Sequence, residues 1–188
     1  MKKTRITPIL KKGKPVDEID SYRPINNLPC VEKIVEEHLK RQMEEFIREN
    51  KIMNKDHHGG RKNHSTITAK VTIEHEATKA HEEGKSVAIY STDLSAAYDT
   101  VKIPILISKL KHYGFRGQSK NILESYLYDR EQYVEIEVKT SEVKEYLEVS
   151  VIQGSKLSGL LYNLYSNEVL LVHKLMHDPK QVDITEEQ

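Results

Sequence analysis

Cysteine is scarce in this sequence, and its scarcity excludes two kinds of stabilisation. Cys30 is the single cysteine among 188 residues, so the chain forms no internal disulfide and no zinc site built from several cysteines. This composition fits a reducing, intracellular compartment, and it does not distinguish nucleus from cytoplasm. No apolar run approaches the roughly 18–20 residues of a membrane span, so we expect no membrane partner.

Net charge is also absent. The 29 Lys and Arg residues balance 29 Asp and Glu residues, which gives no case for a globally basic nucleic-acid-binding protein. The charges are nevertheless uneven, because residues 1–64 carry 15 basic against 10 acidic side chains and residues 65–188 carry 14 against 19. A basic N-terminal third could contact phosphate. An ordinary solvated surface explains the same residues equally well.

Helical and extended patterns alternate along the chain, which predicts a mixed α/β (α+β) fold. Residues 1–29, rich in Lys and Pro, predict extended and turn structure. From periodicity and end signals, helices are predicted at about residues 31–50, 65–83, 103–113, 119–128 and 157–175. Strands are predicted at residues 86–90, 133–138 and 146–152, the last two as a hairpin.

The first two helices have predicted inward faces. In the first, three-and-four spacing places one apolar set on the buried side: Val31, Ile34, Val35, Leu39, Met43, Phe46 and Ile47. In the second, Ser65 caps the start, Gly84 ends the helix, and the inward residues are Ile67, Val71 and Ala77.

One carboxylate is placed where metal chemistry could occur. Asp93 directly follows the apolar segment 86–90, and carboxylates at strand ends commonly face the ligand crevice of an open sheet. Mg²⁺ sites for nucleotide chemistry use one or two carboxylates together with phosphate oxygens. A helix cap or turn residue is the more frequent role for such an Asp, and Asp99 could equally cap the following helix.

Several segments, in order, resemble the conserved blocks of non-LTR (LINE-type) retrotransposon reverse transcriptases. They cover roughly residues 6–169, and any one of them alone is a weak signal. The blocks are ITPILKKGK at 6–14, YRPINNLPC at 22–30, HGGRKNHST at 58–66, TDLSAAYDTV at 92–101, QGSKL at 153–157 and LLYNLYSNE at 160–168.

The resemblance implies a partial right-hand polymerase fold and template-directed nucleotidyl transfer with Mg²⁺ ions. Residues 1–85 would form the fingers, 86–176 an incomplete palm and 177–188 a polar tail. An RNA template and a DNA primer would be the partners.

The resemblance also implies roles for particular residues. Asp93 would be a catalytic, metal-binding carboxylate, and Tyr98 would exclude a 2′ hydroxyl from the nucleotide site; a core aromatic is the alternative for Tyr98. The remaining implied nucleotide-binding residues are Arg23, Lys33, Gln153 and Gly154. The implied nucleic-acid-binding residues are Arg61 and Lys62.

The sequence also departs from the family pattern. Gly60 replaces a phenylalanine, Ser158-Gly159 replaces glycine-proline, and Glu168 stands where an aspartate is usual. The tyrosine-x-aspartate-aspartate strand, which supplies two of three metal-binding carboxylates, does not occur in these residues. We therefore expect a truncated domain that is inactive alone and self-associates through uncovered palm surface. A catalytically dead nucleic-acid-binding or protein-interaction module is the alternative.

Overall fold

The computed structural model describes residues 2–89, 91, 93–94, 97–136, 139–141, 144–145 and 150–169. The chain divides into two compact units. The first combines Met1–Asn50 with Ala96–Tyr165, and the second combines Lys51–Ser95 with Ser166–Gln188. Helices and a small sheet are both present, which confirms the mixed α/β class. Among these residues, none of the helices has the length and apolarity that a membrane crossing needs.

The sheet of the first unit is built around its N-terminal strand. Strand β1 (Lys3–Leu10) pairs antiparallel with β2 (Tyr22–Asn27) on one side and parallel with β3 (Glu131–Ile136) on the other. Two short strands, β4 (Lys139–Thr140) and β5 (Lys144–Glu145), pair antiparallel with β3. The extended structure predicted for residues 1–29 is therefore confirmed.

The predicted hairpin is confirmed in its antiparallel pairing, but the residue range predicted for its second strand is wrong. The return strand pairs at β4 and β5, before residue 146, while positions 137–138 and 146–149 lie outside the described residues. Residues 150–152 form no strand, although Val151 and Ile152 are buried. The backbone N–H of Val151 donates instead to the Tyr98 carbonyl (3.1 Å), so this segment pairs with a turn.

Three predicted helices form within a residue or two of the expected bounds. They are α1 (Cys30–Glu49), α3 (Ile103–His112) and α4 (Gln118–Leu127). Pro104 occupies the first turn of α3, where a missing N–H breaks no helical hydrogen bond. The most deeply buried apolar side chains of the first unit are Val101, Leu106, Leu110, Val151, Leu157, Leu161 and Leu164.

The predicted inward face of α1 is wrong in its first half. Val31, Ile34 and Val35 are 58%, 70% and 47% exposed, whereas Glu32 and Glu36 are buried. The physical reason is that polar partners face this half of the helix: Arg130 pairs with Glu32, and Tyr126 donates to Glu36. Periodicity detects an apolar stripe but does not detect what lies opposite the helix.

Helix α2 (Thr66–Glu82) belongs to the second unit. Its start is confirmed, because Ser65 and Thr68 form a reciprocal capping box, and Gly84 has the positive φ (72°) of a helix-ending residue. The predicted inward face is wrong, since α2 buries no residue and Ile67 is 72% exposed. In the described part of this unit no sheet or second full helix packs over it.

The strand predicted at residues 86–90 is not formed in the described positions. Residues 86–89 have no regular secondary structure, Val87 and Ile89 are 49% and 68% exposed, and Tyr90 lies outside the described residues. A strand persists only where its backbone groups are paired. Residues 86–89 pair with no strand in the part of the chain that the structure describes.

The last predicted helix is confirmed at its start. Helix α5 (Ser158–Ser166) buries Leu160, Leu161 and Leu164, and a turn follows at Asn167. The expected continuation beyond Val169 and the polar tail 177–188 lie outside the described residues.

Candidate nucleotide site

The loop Gln153–Lys156 is anchored to strand β2. The Gln153 carbonyl accepts hydrogen bonds from the backbone N–H and the side-chain amide of Asn26, at 2.9 and 3.1 Å. Gly154 has φ 107°, and a Cβ there would lie 2.9 Å from the Asn26 carbonyl oxygen. Only glycine therefore fits this position without displacing β2.

The same loop is held from its other side by a buried carboxylate. Glu36 is fully buried, and its two oxygens accept from the Tyr126 hydroxyl (2.5 Å) and the Lys156 backbone N–H (3.0 Å). The Tyr126 oxygen also lies 2.7 Å from the Ser155 hydroxyl. Burial raises the pKa of Tyr126, and the Glu36 charge raises it further. Tyr126 is therefore a neutral hydrogen-bond donor at physiological pH.

A buried ion pair continues this network away from the loop. Arg130 pairs with Glu32, and both side chains are almost fully buried. The Arg130 guanidinium also donates to the Tyr126 carbonyl (3.1 Å) and lies 5.0 Å from the Tyr126 ring centroid. Helix α1 is thus joined by charged and polar contacts to α4, through Tyr126, and to the segment that follows α4, through Arg130.

Tyr98 lies in the same unit as this loop. It occupies a short 3-10 turn (Ala97–Thr100), and its carbonyl accepts from Val151, two residues before Gln153. The Tyr98 ring contacts Tyr162 edge-on, with centroids 5.4 Å apart. Asp99, in the same turn, accepts from the Ser150 hydroxyl (3.1 Å) and is not the cap of α3, which begins after Lys102.

The two cations assigned to the nucleotide by resemblance lie on different elements of the first unit. Arg23 is exposed on β2, three residues before Asn26. Lys33 is exposed on α1 and lines a cavity together with Arg41 and Lys156. Hydrogen bonds from Lys156 (2.8 Å) and Arg41 (3.1 Å) lower the pKa of Glu37, which lines the same cavity.

The remaining predicted site residues belong to the second unit. Asp93 and Lys62 are exposed, and Arg61 donates to the Asn54 carbonyl at 2.9 Å. The side chain of Asn167 holds the start of the same loop, because it accepts from the Asn54 N–H (2.8 Å) and donates to the Ile52 carbonyl (2.9 Å). Arg61 thus contributes to the shape of the loop that carries it.

The described residues do not form a complete metal site. No group of three or more His, Cys, Asp or Glu side chains comes together among them. Asp93 offers one carboxylate, whereas a Mg²⁺ ion bound without substrate needs several oxygen ligands in octahedral geometry. The chain's described residues alone therefore do not fit the metal that the resemblance implies.

Sequence reasoning missed three residues that position the Gln153 loop. Asn26, Glu36 and Tyr126 were not expected to contribute to the site, although each makes a direct hydrogen bond to the loop or to its anchor. The spacing of Glu32 and Glu36, four apart on one helical face, was the available signal. Alone, that spacing equally describes a solvated acidic face.

Comparison with known proteins identifies the family of this chain. The reverse transcriptase (RNA-dependent DNA polymerase) family matches residues 9–177, and the chain belongs to this family. The match includes the turn that carries Tyr98 and the loop that carries Gln153.

The similar proteins are polymerases of non-LTR mobile elements. The chain is 29% identical to the probable RNA-directed DNA polymerase from transposon BS and to the RNA-directed DNA polymerase from mobile element jockey, both of Drosophila melanogaster. Each alignment covers 89% of this chain and 18% of the relative. A Pol polyprotein from the type-1 retrotransposable element R2 of Popillia japonica is 25% identical over 56% of the chain. The chain is thus a LINE-type reverse transcriptase domain that spans less than a fifth of these relatives.

Proposed function

We propose that this chain forms the fingers, at residues 1–85, and the first part of the palm, at residues 86–176, of a right-hand reverse transcriptase. The observation that best supports this proposal is a set of hydrogen bonds between family blocks that are distant in the sequence. Asn26, in the block at residues 22–30, donates to the Gln153 carbonyl, 127 residues away. The segment that leads into Gln153 pairs in turn with the carbonyl of Tyr98. Asn26, Tyr98 and Gln153, from three separate blocks, are thus linked within one unit.

The proposed substrate is a deoxynucleoside triphosphate. Gln153 and Gly154 would line the pocket of the nascent base pair, where the loop is fixed on both sides by hydrogen bonds. Tyr98 would stand under the sugar and exclude a 2′ hydroxyl. Arg23 and Lys33 would attract the triphosphate.

The proposed macromolecular partners are an RNA template and a DNA primer. Arg61 and Lys62 would contact the nucleic acid backbone through charge, which makes binding weak, sequence-independent and salt-sensitive. The Asn54 carbonyl holds one guanidinium nitrogen of Arg61 and leaves other donors free for phosphate.

We propose that the chain does not catalyse by itself. Asp93 would supply one carboxylate toward Mg²⁺, and the 188 residues contain no tyrosine-x-aspartate-aspartate to supply the others. Phosphoryl transfer depends on charge stabilisation of this kind. Primer extension by the isolated chain on an RNA template is therefore expected to stay at background, with Mg²⁺ or with Mn²⁺.

A chimera tests the residue roles directly. The carboxylate strand and thumb of a jockey-type relative are fused after Leu175, and extension is measured with deoxynucleotides and with ribonucleotides. Asp93→Asn should abolish extension, whereas Tyr98→Ala should keep extension and admit ribonucleotides. Tyr113→Ala, a half-buried tyrosine outside the Gln153 loop, is the matched control and should leave sugar selectivity unchanged. An active chimera in which Tyr98→Ala discriminates sugars normally would overturn the assignment.

A protein-interaction role is the second candidate, and it is supported by the outward apolar half of α1. Val31, Ile34 and Val35 form an exposed stripe on one helix, and exposed apolar patches mark association surfaces. Self-association through this stripe predicts a concentration-dependent sedimentation coefficient that Ile34→Glu lowers. A monomer at all concentrations would leave the nucleotide-site proposal standing alone.

A further inference from the structure

An open cavity of about 400 Å³ lies on the outer side of α1, within the first unit. Its volume falls in the range of roughly 300–1,000 Å³ that is common for ligand sites. The lining side chains are Lys33, Ile34, Glu37, His38, Arg41 and Lys156. Five of them come from α1, and the sixth comes from the loop that carries Gln153.

The cavity has an excess of positive charge. Lys33, Arg41 and Lys156 are permanent cations at neutral pH, and Glu37 is the one carboxylate of the lining. Lys33 has no carboxylate partner in the described part of the chain. The lining therefore carries a net charge of two positive units without counting His38.

Glu37 pairs with two of these cations and leaves the lining with a positive excess. Its two oxygens accept separately, from Arg41 Nε (3.1 Å) and from Lys156 Nζ (2.8 Å). An arginine has five N–H donors and a lysine three, so both retain donors that can point into the cavity. A planar guanidinium and two ammonium groups match the oxygens of a phosphate.

The cavity also joins the loop of the proposed nucleotide site. The backbone N–H of Lys156 binds the buried Glu36 on the inner side of the loop, while its side chain reaches Glu37 on the outer side. An anion held at Lys156 is therefore separated from Gln153 by only two residues, Gly154 and Ser155. Ile34, 70% exposed, adds an apolar wall that a sugar or base can contact.

We infer that this cavity binds the phosphodiester backbone of single-stranded nucleic acid, as a site additional to Arg61 and Lys62. The inference rests on the proposed handling of nucleic acid but not on catalysis. Phosphate is favoured over the carboxylates of an acidic peptide because the Arg41 guanidinium and the exposed Ile34 line the cavity together, beside Lys156 of the loop that would line the nucleotide.

Binding of a fluorescein-labelled oligothymidylate to the full 188-residue chain, followed by anisotropy across a salt series, tests the inference. Removing both cations with Arg41→Gln and Lys156→Gln should lower affinity. It should also reduce the slope of log affinity against log salt by about 1.4, or about 0.7 for each lost phosphate contact on a single strand.

A matched control removes the same charge elsewhere. Lys40 and Arg48 lie on α1 outside the cavity and pair with Glu44 and Glu45. Lys40→Gln with Arg48→Gln should leave the salt slope unchanged. If this control lowers the slope as much as the cavity variant does, the binding is diffuse attraction and the site does not exist.

A variant that is expected to bind more tightly shows whether misfolding alone explains weaker binding by the double variant. Glu37→Gln removes the one anion of the lining and should raise oligothymidylate affinity severalfold, a result that damaged folding does not produce. Unchanged or weaker binding by folded Glu37→Gln overturns the inference. So does equal competition by polyglutamate at matched charge, because the cavity would then be an acidic-peptide groove.

The outcome is separable from the nucleotide-site proposal. Arg61→Gln with Lys62→Gln should lower the salt slope independently of the cavity variants, and the effects should add. If the cavity variants leave the salt slope unchanged while the chimera extends primers as expected, only the cavity inference is refuted. Absence of any oligothymidylate binding at low salt would refute it as well.

Discussion

The two halves of helix α1 present opposite chemistry to the rest of their unit. The first half turns Glu32 and Glu36 inward and leaves its apolar side chains at the surface. The second half buries Met43 and Ile47, and the ring of Phe46 lies 4.8 Å from that of Phe115. One continuous helix thus contacts its unit first through hydrogen bonds and then through apolar packing.

The difference indicates what each half contributes. Burial of apolar surface stabilises by about 25 cal/mol for each Å², without fixing direction. A buried carboxylate contributes little net stability, because its desolvation offsets its pairing, but its two oxygens accept only from donors in defined positions. We infer that the second half stabilises the unit and the first half orients the loop that begins at Gln153.

The largest expected effect is obtained by breaking the buried ion pair. Arg130→Ala leaves Glu32 charged and buried, which should lower the free energy of unfolding by about 3–5 kcal/mol. Chemical denaturation monitored by circular dichroism measures this loss. Glu32→Met combined with Arg130→Met should recover most of it, because two apolar side chains need no partner. A double variant as unstable as the single one would show that the pair itself stabilises the fold.

A comparable but smaller loss is expected from the apolar half. Ile47→Ala removes buried methylene and methyl groups and should lower the free energy of unfolding by roughly 2–5 kcal/mol. Hydrogen exchange at the Lys156 amide distinguishes the halves. Relative to the global stability, Ile47→Ala should leave protection of that amide unchanged, whereas Glu36→Gln should reduce it. Equal loss of protection in both variants would contradict separate roles.

Tyr126→Phe should have an intermediate effect that depends on pH. It removes a hydrogen bond to a buried carboxylate, at about 1.5–3 kcal/mol near neutral pH. Because the folded-state pKa of Tyr126 is raised, its neutral hydroxyl contributes fully below about pH 10. That contribution is lost as pH rises above about 10, where only the unfolded chain ionises this group.

The alkaline loss of wild-type stability should therefore be reduced in Tyr126→Phe. Unfolding followed between neutral pH and strongly alkaline pH measures it. Tyr133→Phe, which removes a hydroxyl outside the network, is the control. Parallel pH curves for wild type and Tyr126→Phe would show that Tyr126 does not carry the effect.

The smallest effect is expected at the outward apolar residues. Ile34→Ala deletes the same atoms as Ile47→Ala on the same helix, yet Ile34 is 70% exposed and Ile47 is 6% exposed. The free energy of unfolding should change by less than about 0.5 kcal/mol. A loss comparable to that of Ile47→Ala would mean that the first half of α1 is buried in solution.

Local signals predicted the elements of this fold well. A capping serine located the start of α2, Pro104 located the first turn of α3, and periodicity located α1 and α4. Each of these signals acts within a few residues of the structure that it specifies. Strand pairing acts over long distances, so the sequence predicted extended structure at β1 but not its parallel partner.

The residues of the candidate site also fall into two groups, those that a local motif identifies and those whose role depends on a distant contact. Gln153, Gly154 and Tyr98 could be selected because they fall within motifs. Glu36 and Tyr126 could not, because their roles follow from a contact between residues 90 positions apart. The inward direction of the glutamates depends on that contact, and no periodicity in residues 30–49 contains it.

The position of β1 between β2 and β3 has a consequence for biosynthesis. Lys3 pairs with Glu131, so one edge of β1 stays unpaired until the chain has been synthesised as far as β3. At about 5–20 residues per second, the wait is on the order of ten seconds. An open edge is a template for pairing with other chains, and charged residues discourage it. The exposed Lys3 and Arg5 in β1 are placed to protect the nascent chain during that interval.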